Sequence, residues 1–398
     1  MKKDNLLAFF TAAMVLLCFF CTDNLFHQKE ERRITAGFLY VGDAANPYSK
    51  NFMRAQDLVE ETYGDRVTCI AKYNIPVGQE DEYIRELIDD GCDIIFGTSY
   101  DYSPVMKQYA QQNPGVVFCQ ATGDNANIEP ILSNYHTYMG HIYEGRYISG
   151  VVAGLKLRDM ILSGQITREE AVVGYVAAYP YAEVISGYTA FLLGVRSTCP
   201  VATMKVKYAG TWNSYTVEKQ LAKELIDQGC VIISQHSDTS GPSVACEEAQ
   251  KSYPVYHVSY NQSMKNVAPT TALIGCRINW GPYEVAAIGA MLEGKPIEKG
   301  LGKGVTVNGT DAGAGFAEGW VEMLELNAAI APVGAEEEIR RCIEGLQRGE
   351  IQVFSGAYTG TDPFDPTDTI DLSRGYWENA SASSPGFHYV LDDVIEIE

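Results

Sequence analysis

Positive charge is what this chain has least of: 30 lysines and arginines stand against 51 aspartates and glutamates in 398 residues, a net charge of −21 at pH 7. Nucleic acid or an anionic membrane surface demands a basic footprint, so neither is expected as a direct partner. Catalytic signatures are missing as well. No P-loop occurs, and Asp311-Ala-Gly-Ala-Gly-Phe316 does not complete a dinucleotide fingerprint. No Ser or Cys sits in a nucleophile elbow. Catalysis therefore has no residues to rest on, and no cofactor is implied. The only close C-x-x-C pair, Cys18 and Cys21, lies near the N-terminus, which leaves a metal site without support. Cys92, Cys119 and Cys230 border apolar runs and read as buried free thiols rather than a disulfide framework.

Met1-Lys2-Lys3 followed by an almost wholly apolar stretch from Leu6 to Phe20 has the pattern of a secretory signal over residues 1–21. About 15 apolar residues are short for a spanning helix of about 20. The protein is thus expected outside the cytoplasm, touching the membrane only through this segment. Cys21 stands where bacterial lipoproteins are cleaved and acylated, yet Phe20 before it is not small. Acylation at Cys21, an uncleaved signal anchor and cleavage elsewhere all remain open.

The chain also repeats itself. Glu86 to Ser99 (ELIDDGCDIIFGTS) and Glu224 to Ser237 (ELIDQGCVIISQHS) agree at nine of fourteen positions with an offset of 138. Each begins on a segment with helical apolar spacing, stops at a glycine (Gly91, Gly229) and runs into β-branched residues. Strands also open both halves, at Ile34 to Tyr48 and Ala171 to Val184, and later ones recur at Val116 to Gly123 and Val255 to Asn261. This rhythm predicts an α/β protein of two doubly wound parallel-sheet lobes, 34–135 plus 279–300 and 136–278 plus 301–398. Crossings are expected near Gly123–Asn134, Arg277–Trp280 and Gly300–Gly304. In such sheets ligands bind beyond the carboxyl ends of the strands. The two repeats diverge at that point, Gly97-Thr98-Ser99-Tyr100 against Gln235-His236-Ser237-Asp238. The tail from Gly360 to Pro385 reads as irregular surface structure.

FLYVGDA, GCDIIFGTS, GRYISGVVAG (Gly145 to Gly154), GYVAAYPYAEVISG (Gly174 to Gly187), GTWNS, SQHSDTSGP (Ser234 to Pro242) and INWGPY (Ile278 to Tyr283) occur in that order. Together they resemble the basic membrane protein family of ABC-transporter substrate-binding lipoproteins, also called the purine-nucleoside-binding family, from about Ile34 to about Ala357. The resemblance implies a type I periplasmic-binding fold whose lobes close on a purine base or nucleoside. It further implies a monomer that delivers this ligand to a permease and its ATP-binding subunit. A membrane-anchored module that reports purine to a signalling partner is the alternative.

Carried over position by position, the family's stacking aromatics correspond to Tyr48, after the first strand, and Trp212, in GTWNS. Asp238 is placed to accept from an amine, a ring N–H or ribose hydroxyls, or else to cap the helix near Gly241-Pro242. Ser99, Tyr100 and Tyr179 stand at strand tips. His236 reads more readily as structural than as a contact, and for Asn279 and Trp280 hinge packing competes with ligand contact. The chain also departs from the family. Thr122 and Asn261, beside Tyr260, stand where members carry acids, and Asn51-Phe52-Met53-Arg54 replaces a His/Asn-x-x-Gly stretch. These departures leave the ribose half of the site in doubt and bring a free base level with a nucleoside.

Overall fold

The computed structural model describes residues 32–398; the N-terminal segment and Cys21 lie outside them. The first half runs β1 (Ile34–Leu39), α1 (Pro47–Tyr63), β2 (Val67–Lys72), α2 (Glu80–Asp89), β3 (Ile94–Gly97), α3 (Ser103–Gln112), β4 (Val117–Ala121) and β5 (Tyr135–Gly140). Helix α4 (Ile142–Leu162) leads into the second half: β6 (Val172–Ala177), α5 (Ala182–Thr198), β7 (Thr203–Tyr208), α6 (Tyr215–Asp227), β8 (Ile232–His236), α7 (Gly241–Ala249), β9 (Tyr256–Tyr260) and β10 (Ala272–Ile278). The chain then returns through α8 (Gly281–Glu293), α9 (Ile297–Gly300), β11 (Thr306–Asn308), β12 (Asp311–Ala314), β13 (Val321–Met323) and α10 (Ala335–Gln347).

Parallel strands lie in the order β2-β1-β3-β4-β5 in one sheet and β7-β6-β8-β9-β10 in the other. The repeated sentence therefore folds twice into the same place, with β3 and β8 each flanked by the strand that opens its half. Their all-buried IIFG and IISQH sequences fit strands covered on both faces. Gly91 and Gly229 end the preceding turns with φ of 79° and 93°, a conformation glycine adopts without steric cost.

The lobe boundaries differ from the expected ones. β5 is still part of the first sheet, so the first crossing falls at His141 rather than between 123 and 134. β11 and β12, expected in the second lobe with the rest of 301–398, extend the first sheet, β12 pairing with β5. Of these three strands only β13 joins the second sheet, placing the third crossing near Gly315–Trp320 rather than at Gly300–Gly304. The middle crossing, at Asn279–Trp280, agrees. The crossings are laced side by side: His141 N donates to Ala314 O at 2.8 Å, Asn279 N to Trp320 O at 2.8 Å, and Phe316 N to Glu144 Oε2 at 2.8 Å.

The tail is more ordered than its composition predicts. β14 (Thr359–Thr361), β15 (Thr369–Asp371) and β16 (Val390–Leu391) form a small sheet, and β17 (Ile395–Ile397) pairs with β7. Phe387 and Leu391 enter the second lobe's core, whereas Ser383 bonds Asp311 of the first sheet. Ligand atoms of Asp362, Asp368 and His388 come within 4.8 Å of one another there, a grouping that no sequence spacing announced. All eight cysteines among the described residues are free, and only Cys69 is not fully buried.

Candidate ligand-binding site

The carboxyl ends of both parallel sheets face a common cleft of about 420 Å³, within the range of small-molecule sites. From the first lobe Tyr48, Ser99, Tyr100 and Thr122 line it, and from the second Tyr179, Trp212, Asp238 and Tyr260. Eight of the eleven positions singled out from sequence thus come together. Asn51, Asn261 and Trp280 do not.

The first-lobe wall is fixed by local geometry. Asn46 caps α1, its side chain accepting from Ser49 N at 2.8 Å, and Pro47 sits in the first turn. That cap sets where Tyr48 emerges. The Tyr48 hydroxyl donates to Thr98 O and its ring meets Phe52 edge-on at 5.1 Å, so the ring is held from two sides. Burial and the nearby Glu183 and Asp238 carboxylates push its hydroxyl pKa well up, which keeps it a neutral donor. Tyr100 donates to Asp124 at 2.9 Å. Thr122 has φ of 58°, unusual for a β-branched residue.

The opposite wall rests on Glu218, buried in the first turn of α6. Its carboxylate accepts from Ser237 Oγ at 2.8 Å, Thr239 N at 3.1 Å, Thr239 Oγ1 at 2.7 Å and Ser214 N at 2.9 Å. These four bonds clamp the 237–239 loop and the GTWNS turn onto one helix. Asp238 N in turn donates to Trp212 O at 2.9 Å. Asp238 does not cap α7, since Thr239 Oγ1 takes Gly241 N instead. Burial, then Glu218 and Glu183, raise the Asp238 pKa well above the usual carboxylate range. Trp212 packs edge-on against Tyr179 at 5.4 Å, and Tyr179 stacks on Tyr181 at 5.1 Å.

Three positions fall behind the cleft. Trp280 is 2% exposed and stacked on Phe52 at 4.4 Å, making it hinge packing. Asn51 is buried and donates to Ile278 O at 2.6 Å, tying α1 to the middle crossing. Asn261, with φ of 64°, points its amide at Asp238 Oδ1 at 3.5 Å and so acts on the carboxylate from behind.

Residues 41–318 match the family described as ABC transporter substrate-binding protein PnrA-like (Bmp). The chain belongs to this family. A purine-binding protein from Brucella abortus is 28% identical over 332 residues, covering 82% of this chain and 84% of the relative. A putative ABC transporter glucose-binding protein from Haloferax volcanii is 30% identical over 330 residues, covering 83% and 76%. Solute-binding proteins of ABC transporter systems share the fold: that of Conexibacter woesei at a TM-score of 0.61 and 16% identity, with 80% of this chain and 97% of that one covered, and that of Aeropyrum pernix at 0.62 and 14%, with 80% and 92% covered. This PnrA-like chain is accordingly a substrate-binding protein of the ABC-transporter class, which works outside the cytoplasm. Among the described residues no helix is long and apolar enough to cross a membrane.

Sequence reading missed part of the PnrA-like site. Glu183, in the first turn of α5, lines the cleft, but an acid in a first turn is ordinary helix chemistry and gives no signal. His236, weighed as structural, lines it too. Arg146, buried on α4, lies 3.7 Å over the Tyr260 ring and donates to Gln235 O at 2.8 Å. It supplies positive charge behind the wall while no Lys or Arg lines the cleft.

Proposed function

We propose that the cleft captures a purine base or purine nucleoside between Tyr48 and Trp212, one ring from each lobe, and hands it unchanged to an ABC permease and its ATP-binding subunit. The observation that carries this reading is the lining itself: aromatic rings on both lobes, carboxylate acceptors among them, and no cation. Stacking a base on an aromatic face contributes about 1–3 kcal/mol, and two faces from two lobes couple binding to closure. Carboxylates suit ring N–H and amine donors and repel anions. The name of the Brucella relative points the same way. The protein acts as a monomer, tethered through acylated Cys21.

Calorimetry with adenine, guanine, hypoxanthine, their nucleosides and glucose tests the ligand. Purine binding is expected. Heat from glucose alone would overturn the reading in favour of the sugar named for the Haloferax relative. Mass spectrometry of what the purified protein releases checks that the purine leaves with its mass unchanged, and Cys21→Ser is expected to free the protein from the membrane fraction.

A further inference from the structure

Within the cleft, the polar group left most unsatisfied is His236. It ends β8, is 1% exposed and lines the cleft, yet Nδ1 has no partner and Nε2 has only Glu183 Oε1 within reach, not aligned as a hydrogen bond. A buried polar group without a partner is costly and needs an explanation. On one side the ring packs against α5, where a Cβ at Gly187 would stand 2.7 Å from Nδ1. On the other side Nε2 faces Glu183 Oε1 at 3.4 Å. Tyr260 closes the third side, edge-on at 4.9 Å. Burial and the Arg146 guanidinium push the His236 pKa down, so the ring is neutral and carries one proton. That proton belongs on Nε2, the nitrogen with an acceptor in front of it.

We infer that Glu183, oriented by His236, is the specificity-determining acceptor of the cleft and selects purines that present an amino group over those that present a carbonyl at the same edge. This inference rests on the cleft being a purine site. The neutral imidazole directs its N–H toward Glu183, leaving carboxylate lone pairs for the ligand. An exocyclic amine satisfies them. A ring carbonyl in that place sets oxygen against the Glu183 carboxylate oxygen, and no Lys or Arg lines the cleft to bridge the two. Arg146 does not rescue a carbonyl, because the guanidinium lies behind the Tyr260 face and spends a donor on Gln235 O. His236 is the positioning residue of the pair: it fixes the carboxylate and need not touch the ligand.

Calorimetry of the purified protein with adenine against hypoxanthine, and with 2,6-diaminopurine against xanthine, reads the selectivity directly. Each amino compound is expected to bind at least ~10-fold more tightly than its oxo counterpart, as a site built around a specific hydrogen bond discriminates. Glu183→Gln offers a donor as well as an acceptor and is expected to bring both ratios below about 3-fold, mainly by tightening the oxo purines. Glu183→Ala collapses the ratios by weakening the amino compounds instead. Neither variant removes a side-chain cap from α5, only the first-turn charge, so melting is expected to fall only slightly. His236→Gln is the further check, with ratios lowered less than by Glu183→Ala. Purines that bind with ratios near one, or ratios that survive both Glu183 variants, overturn the selectivity while leaving the purine reading intact. Failure of all four compounds to bind overturns both.

Discussion

Tyr48 and Trp212 are held by different means, and this shapes what their removal does. Tyr48 is fixed at its hydroxyl by Thr98 O and at its ring by Phe52. Trp212 is propped by Tyr179 and remains partly exposed. Truncating either to alanine removes one stacking face, so each is expected to weaken purine binding by about 1–3 kcal/mol in calorimetry. Tyr48→Phe keeps the ring and loses only the anchor, and its loss is expected to be the smaller of the two Tyr48 variants. A Tyr48→Ala protein that binds like wild type would remove this ring from the site. At this scale the family's motifs, not the residue types alone, singled out Tyr48 and Trp212, and the structure brings both to the cleft. The sequence was unreadable where the type is ordinary, as with Glu183 in a helix's first turn. Of the two readings left open for Trp280 the structure favours hinge packing, and Asn51, singled out from the family pattern, points from α1 into the middle crossing.

Between elements, the closest approach is α4 against α5. A Cβ on Gly150 would run into the Phe191 carbonyl, and one on Gly194 into the Tyr147 carbonyl, so each helix uses a glycine to admit the other's backbone. Neither obstacle is a side chain that can swing aside. Gly194→Ala is therefore expected to destabilise the protein by about 1–3 kcal/mol, seen as a lower melting temperature. Because α5 carries Glu183 at its start, the same variant is expected to weaken ligand binding through a site it does not touch. Strand and helix order were legible because the duplicated pattern states the element sequence twice. Sheet membership of β11 and β12 was not, since a three- or four-residue strand carries no local mark of its partner; the pairing of β12 with β5 follows from where the return chain passes.

At the crossings, Glu144 joins the first to the third by accepting from Phe316 N at 2.8 Å. Burial is the main cause that raises its pKa from 4.5 to about 7, opposed by the Phe316 hydrogen bond and aided by Glu318. A folded-state pKa above the unfolded one means that the native state holds the proton more tightly. This contribution to stability is full below about 4.5 and is lost as pH rises through about 7. Glu144→Gln removes the ionisation and can still accept from Phe316 N. Thermal melts are expected to match wild type closely at pH 4 and to exceed it at pH 8, by about 3 kcal/mol. An equal offset at both pH values would show that Glu144 ionisation does not bear on the hinge.

Beyond the three crossings, the tail makes a fourth link between the lobes. Glu378 accepts from Ser186 Oγ of α5 at 2.9 Å, in the second lobe. A few residues on, Ser383 N and Oγ each donate to Asp311 at 2.6 Å, in the first sheet, and Asn308 Nδ2 donates to Ser381 O at 2.7 Å. The anchor at Asp311 is itself braced by Thr137 Oγ1 at 2.7 Å. Crossings at a hinge bend by backbone torsion, but a strap bonded to both lobes resists their separation until its bonds break. Asp311→Ala removes both Ser383 bonds together, and the strap then holds the first lobe only through Asn308. Ligand-free Asp311→Ala protein is expected to show a larger radius of gyration by X-ray scattering than ligand-free wild type. Saturating purine is expected to bring the two to the same value, since the proposed site assigns closure to the rings and carboxylates of the cleft and not to the tail. Identical ligand-free dimensions would mean that the crossings alone set how far the lobes part.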